Sequence, residues 1–393
     1  MNSSLSPWLG LLGLLLFTTG CVLPPGLMSR SNPSVEVESG NDLVVSTALS
    51  EDSRDFDQWR YLEFEGPICA NGTPVGMGLN RGKNPNKLVI YLNGGGGCWD
   101  SSSCNLFRTA ANLDIVYSET RLGEELYPLV KSGLLDREGP VDVWSDASIA
   151  FIPYCTGDLH SGRTTTRYNG FGGERDTHHV GAKNLEVFLE YLSGEFTEVE
   201  ELWIVGISAG GYGGAWNFHH FRDAFAGAEI HGFFDASVWL PLSKTQWRQW
   251  QQNWGLITPP GCVMCEVSPD YLIRYLVESH PRSRFAMSVF ERDATLSVFT
   301  KTLPLEMEKH VEHFFEEHFV GPNTASFVAT GSDHEALLML DQGLLCKEGQ
   351  ELSEFLVRWA RGEVGEVESI DTKQLQSDTG QSAHLFSSED GAP

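Results

Sequence analysis

The run Leu202-Trp203-Ile204-Val205-Gly206-Ile207-Ser208-Ala209-Gly210-Gly211 decides the fold. An apolar, β-branched stretch leads into G-x-S-x-G, and small residues follow before a helix-like segment. This is the layout of a nucleophile elbow, in which a serine sits on a strained strand-to-helix turn and the flanking glycines keep Cβ atoms out of its approach. Such a turn lifts Oγ of Ser208 above a sheet and directs the N–H of Ala209 toward a developing oxyanion. A glycine-rich βα turn that only packs a helix on a strand would read the same way, so the rest of the chain has to decide.

Outward from the elbow, short apolar runs alternate with helix-like stretches. The runs are Lys87–Leu92, Ser148–Pro153, Leu202–Val205, Ile230–Phe234, Phe285–Phe290 and Ser326–Ala329; the stretches are Val180–Leu192, Tyr212–Phe225, Pro269–Glu278, Pro304–Phe319 and Leu352–Arg361. Short buried strands alternating with helices predict an α/β fold with a mostly parallel central sheet and helices on both faces. Reactive groups in such sheets gather at the carboxyl ends of the strands.

Three such ends carry chemistry. After Lys87–Leu92 comes Asn93-Gly94-Gly95-Gly96-Gly97-Cys98-Trp99-Asp100, whose bare glycines can offer N–H groups to an oxyanion. An early glycine loop paired with the N–H after the nucleophile is the α/β-hydrolase arrangement, so Gly95, Gly96 and Ala209 are the expected oxyanion donors. A phosphate loop would need a Lys-Ser/Thr pair that is missing, and Cys98, Trp99 and serines follow where a dinucleotide motif would begin a helix. A plain flexible turn is the remaining alternative. Asp293 stands directly after Phe285–Phe290 and His334 after Ser326–Ala329, in the chain order serine, acid, histidine. Asp235, after Ile230–Phe234, is the rival acid or a turn cap. Asp333 is too near His334 in sequence to orient it easily.

The other histidines are read as structural or surface groups. His178-His179 and His219-His220 fall in helix-like stretches, and His310, His313 and His318 lack H-E-x-x-H spacing. The Phe151–Gly162 segment either lines the pocket or is a turn tied down by Cys155. Trp239 to Trp254, with four tryptophans, is either a lid or buried packing.

The chain has 393 residues, enough for one large α/β domain, with 11 Trp and 22 Phe for its core. Its formal charge of −26 excludes nucleic acid as a partner and favours a neutral or weakly charged substrate. Residues 1–20 have the apolar block of a lipoprotein-type signal peptide ending at Cys21, although the n-region lacks Lys and Arg and Thr18 replaces a larger aliphatic residue. The expected organisation is a signal peptide over 1–20, a flexible tether over 21–57, a catalytic domain over 58–362 and an acidic tail over 363–393. That implies export: a lipoprotein of the bacterial cell envelope held through lipidated Cys21, or otherwise a secreted protein. Seven further cysteines in an exported chain favour disulfides with one thiol left free. Cys98/Cys104 and Cys262/Cys265 are the close pairs, half a zinc site being the alternative for the latter.

Together, Cys69-Ala70-Asn71-Gly72-Thr73-Pro74, the Gly94–Asp100 run, Pro153-Tyr154-Cys155-Thr156-Gly157-Asp158, the serine elbow, Asp293-Ala294-Thr295 and the His334 segment resemble the pectin acetylesterase-like family of serine hydrolases. The resemblance spans roughly Trp59 to Arg361. It implies an α/β-hydrolase-like fold with Ser208 as nucleophile, His334 as base and Asp293 as its orienter, and no metal or organic cofactor. The expected reaction is removal of an acyl group, acetyl being favoured, from a small-molecule or carbohydrate ester by a monomeric enzyme. A non-catalytic glycan-binding lipoprotein on the same fold is the alternative, and a serine peptidase a third reading.

Overall fold

A computed structural model describes residues 58–170, 172–239 and 242–363. The expected signal peptide, Cys21, the tether and all but the first residue of the acidic tail lie outside the described residues.

Strands β1 (Trp59–Leu62), β2 (Met77–Asn80), β3 (Asn84–Leu92) and β4 (Ala147–Ile152) precede a hairpin of β5 (Thr164–Gly170) and β6 (Gly173–His179). Strands β7 (Glu201–Ile207), β8 (Glu229–Asp235), β9 (Phe285–Phe290) and β10 (Thr324–Ala329) follow. Outside the hairpin they form one eight-stranded sheet in the order β1-β2-β4-β3-β7-β8-β9-β10. It is antiparallel at β1/β2 and β2/β4 and parallel from β4 to β10.

The helices are α1 (Glu119–Lys131), α2 (Gly181–Glu195), α3 (Ala209–Trp216), α4 (Phe218–Ala224), α5 (Lys244–Trp254), α6 (Tyr271–Ser279), α7 (Ala294–Thr300), α8 (Pro304–Glu317) and α9 (Leu352–Ala360). The strand period of two explains why they cover both faces. On β3, Leu88, Ile90 and Leu92 join one core with Leu185 and Phe188 of α2, Trp216 of α3, Leu276 of α6 and Val311 of α8. Val89 and Tyr91 point the other way, into a second core with Leu122 and Leu126 of α1 and Phe355 and Trp359 of α9. On β7, Leu202 and Ile204 face the first core, and Trp203, Val205 and Ile207 the second. Every central strand is therefore buried on both sides, which is why these segments read as continuous apolar runs.

Two expectations need correction. His178 and His179 end strand β6 rather than lie in a helix; Thr177 and His179 are fully buried while Asp176 is exposed and His178 half-buried, an alternation only a strand gives. The predicted single helix Tyr212–Phe225 is broken at Asn217, whose Nδ2 donates to the carbonyls of His160 and Gly213, both at 2.9 Å.

Cys69 pairs with Cys155, Cys98 with Cys104 and Cys262 with Cys265, and Cys346 is free. The Cys262/Cys265 sulfurs are thus engaged with each other, so the zinc alternative is not realised.

Candidate active site

Ser208 joins β7 to α3 with φ 51° and ψ −120°, a conformation L-residues avoid. The turn is that tight because small residues let the backbones meet: a Cβ on Gly206 would run into the main chain of Gly210, and one on Gly210 into the Leu92 carbonyl. The strand hydrogen bond from Ser208 N–H to the Asp235 carbonyl (2.8 Å) and the Ser237 hydroxyl on the Ser208 carbonyl (3.1 Å) hold the strained residue in place. Strain of this kind persists only where the surroundings over-determine it.

Two further strand ends reach the same point. His334 Nε2 lies 2.8 Å from Ser208 Oγ, and His334 Nδ1 lies 2.7 Å from Asp293 Oδ2. A carboxylate only accepts, so Nδ1 carries the proton and Nε2 of the neutral ring accepts from the serine hydroxyl. Asp293 is fully buried, and its other oxygen accepts the Leu296 N–H at 2.8 Å as the cap of α7, so its rotamer is fixed from both sides. Burial lowers the basicity of His334, but the hydrogen bond and charge of Asp293 outweigh it and raise its pKa above the ordinary 6.5.

Asp235, the rival acid, is equally buried but turned elsewhere. Its oxygens accept the Ser288 hydroxyl (2.6 Å) and the Leu337 N–H (3.0 Å). Burial pushes its pKa up to about 7. Asp333 is exposed.

Gly96 and Ala209 line a cavity beside Ser208 and His334. Gly96 has φ +73°, open to glycine without strain. The Gly95 carbonyl accepts the Ala111 N–H at 2.7 Å, and since carbonyl and N–H point oppositely across a trans peptide, the Gly96 N–H faces away from Ala111. Gly95 itself stands back from the cavity, where a side chain would strike Ala111 and Tyr154. The Phe151–Gly162 segment serves both roles expected of it. Leu159 lines the cavity, while the Tyr154 hydroxyl and His160 Nε2 reach the carbonyls of Gly96 and Asn93 from behind. Asp158, fully buried, accepts the Thr156 hydroxyl (2.6 Å) and the Gly181 N–H (2.8 Å), with burial pushing its pKa up to about 6.

The cavity opens to solvent beside Ser208, and its wall is largely apolar. Trp99, Trp239, Trp250, Trp254 and Phe299 are the large aromatic groups of that wall, with Tyr212 beside them. Trp239, Trp250 and Trp254 of the tryptophan-rich stretch therefore form cavity wall, and Trp247 belongs to the core packed with them. Sequence reasoning missed Trp99, although it adjoins the glycine loop. It also missed a polar support in which Glu125 accepts from Asn93 Nδ2 (2.9 Å), Asn112 Nδ2 (2.8 Å) and the Tyr117 hydroxyl (2.6 Å). No motif marks Glu125, whose partners Tyr117, Asn112 and Asn93 stand 8, 13 and 32 residues before it in no recognisable pattern. His219 and His220 lie on α4, His310 and His313 on α8, and His318 just beyond, and none of them lines the cavity beside Ser208. His318 Nε2 stands 3.7 Å from Asp270.

The pectinacetylesterase family model matches residues 56–258, a span that holds the glycine loop and Ser208 and ends before Asp293 and His334. Among curated relatives, the palmitoleoyl-protein carboxylesterase notum1' of Xenopus laevis is 28% identical over 46% of this chain and 36% of its own length. The palmitoleoyl-protein carboxylesterase NOTUM of Drosophila melanogaster is 27% identical over 57% of this chain and 35% of its own. The chain thus spans about a third of the length of the curated relatives it matches. A crystal structure of the Wnt deacylase Notum from Drosophila superposes with a TM-score of 0.58 at 20% identity, covering 77% of this chain and 93% of that one, which shows the shared α/β-hydrolase fold. With more than half of its residues matched by that family model, the chain belongs to the pectinacetylesterase family.

Proposed function

We propose that this chain is an exported serine carboxylic-ester hydrolase whose acyl group is hydrophobic and longer than acetyl. The observation that carries the proposal is the Ser208–His334–Asp293 hydrogen-bond chain opening directly onto an apolar cavity. Ser208 Oγ attacks the ester carbonyl as its proton passes to His334 Nε2, and Asp293 holds the ring tautomer and the imidazolium. The carbonyl electron pair moves onto oxygen, facing the N–H groups of Gly96 and Ala209. His334 returns the proton to the leaving alcohol, and water, activated by the same ring, releases the acid.

Acetyl is the acyl group the family description suggests, but a methyl group fills little of a cavity walled by indoles and Phe299. The relatives named palmitoleoyl-protein carboxylesterases lend support to a longer chain. Export is supported by three disulfides, which persist in oxidising compartments.

The test is a p-nitrophenyl ester series from acetate to dodecanoate. Each buried methylene contributes about 0.8 kcal/mol, so kcat/KM should climb about fourfold per carbon until the cavity is filled. Ser208→Ala should abolish turnover and fluorophosphonate labelling together. A wild type that takes no label favours the glycan-binding alternative, and a rate that is highest for acetate returns the acyl group to acetyl.

A further inference from the structure

We propose that Tyr154 is a positioning residue for oxyanion stabilisation, its hydroxyl fixing the glycine loop through the Gly96 carbonyl. The proposal rests on the ester-hydrolase reading and concerns a side chain that does not touch substrate.

Tyr154 is fully buried one residue before Cys155. Its hydroxyl accepts the Leu159 N–H at 3.0 Å and donates to the Gly96 carbonyl at 2.7 Å. On the other side of Gly96, the Gly95 carbonyl is held by the Ala111 N–H at 2.7 Å. Both peptide planes flanking Gly96 are thereby pinned, and with them the direction of its N–H. The ring lies against Gly95, where any side chain would collide with it. Thr109 extends the arrangement by donating its hydroxyl to the Gly97 carbonyl at 2.7 Å. A stretch of four glycines has no side chains of its own to set its shape. Preorganised donors accelerate acyl transfer because they need not reorient as charge develops, so the rigidity must come from neighbours. Tyr154 and Thr109 supply it by gripping the carbonyls.

The experiment compares Tyr154→Phe with Tyr61→Phe. Tyr61 is a buried tyrosine of the same kind, accepting the Gly76 N–H (2.7 Å) and donating to the Tyr117 carbonyl (3.4 Å), but on edge strand β1 away from the site. Both variants lose some stability; only Tyr154→Phe should lose kcat, by about tenfold or more with KM within about twofold, since removing a whole oxyanion donor costs about 10²–10³. Affinity for a trifluoromethyl ketone should fall by the same factor. In that adduct Ser208 Oγ bonds to the carbonyl carbon, its proton goes to His334 and the oxygen becomes the oxyanion. Should Tyr154→Phe not fold, Thr109→Val is expected to show the same kcat loss and Thr109→Ser to restore it. A folded Tyr154→Phe with unchanged kcat and ketone affinity overturns the proposal while wild-type turnover keeps the ester-hydrolase reading intact. A wild type inert toward every ester overturns both.

Discussion

The carboxylate of Asp235 accepts the backbone N–H of Leu337 at 3.0 Å, three residues past His334, and so ties the end of β8 to the loop that carries the histidine. Its second oxygen takes the Ser288 hydroxyl on β9. Asp235→Ala leaves that N–H and that hydroxyl without a partner and lets the loop shift, so kcat should drop by about ten- to a hundredfold. Asp235→Asn keeps an acceptor for Leu337 and should recover most of the rate. Steady-state kinetics on one soluble ester decides it: an alanine variant that melts earlier but turns over normally would make Asp235 a stability element only.

The pH profile should follow His334. The ring must be neutral to accept the Ser208 proton, and Asp293 raises its pKa above 6.5 in spite of burial. Ester cleavage should therefore be lost as pH falls through a midpoint above 6.5. Asp293→Asn removes the charge behind that rise, so its midpoint should move down while kcat falls about a thousandfold or more. Profiles of kcat/KM for both proteins check this, and a shared midpoint would dissociate Asp293 from the histidine.

The disulfides should separate stability from turnover. Cys69–Cys155 spans 86 residues, and the chain-entropy account of such a loop gives about 4–5 kcal/mol. Cys98–Cys104 spans 6 and gives about 2 kcal/mol, yet it abuts Gly97. Replacing the first pair with serines should lower the urea midpoint most with little change in kcat. Replacing the second should cost less stability and more turnover. Equal kcat in the two variants would show that the Cys98–Cys104 bridge does not help to hold the adjoining glycine loop.

Acid should destabilise the fold through buried histidines. Burial lowers the pKa of His160 to about 4 and of His179 and His231 to about 3. The folded chain keeps them neutral while the unfolded chain takes up protons below pH 6.5, so stability falls as pH drops from there toward about 4. Asp158 and Asp235, raised to about 6 and about 7, work in the opposite sense, their contribution being lost as pH rises through those values. Three protons against two leaves a net slope of about 1 kcal/mol per pH unit near pH 5 from these five groups. His231→Gln should flatten the melting-temperature curve between pH 6.5 and 4.5. An unchanged slope would remove His231 from the account.

The elbow was legible because its chemistry is local: G-x-S-x-G needs only neighbours, and doubly buried parallel strands advertise themselves as apolar runs. The run Phe285–Phe290 coincides with β9, and Asp293 follows it. What escaped lacks a dense apolar pattern. Strand β5, Thr-Thr-Thr-Arg-Tyr-Asn-Gly, is polar and half exposed, held by its hairpin partner rather than by a core face. Helix α1 shows only Leu122, Leu126 and Leu129 as buried apolar positions, too sparse to stand out. Asp293 and Asp235 are alike in sequence, one just after a strand and the other at the end of one, and the direction of the side chain separates them.

The backbone at Ser208 carries one more consequence. Glycine is the residue that would occupy φ 51°, ψ −120° without discomfort. Erasing the nucleophile by mutation to glycine is therefore thermodynamically downhill for folding, and a calorimeter should find that inactive variant melting above its parent. Natural drift at this codon would yield sturdier but silent proteins, so persistence of the hydroxyl in any lineage records selection for turnover rather than for robustness.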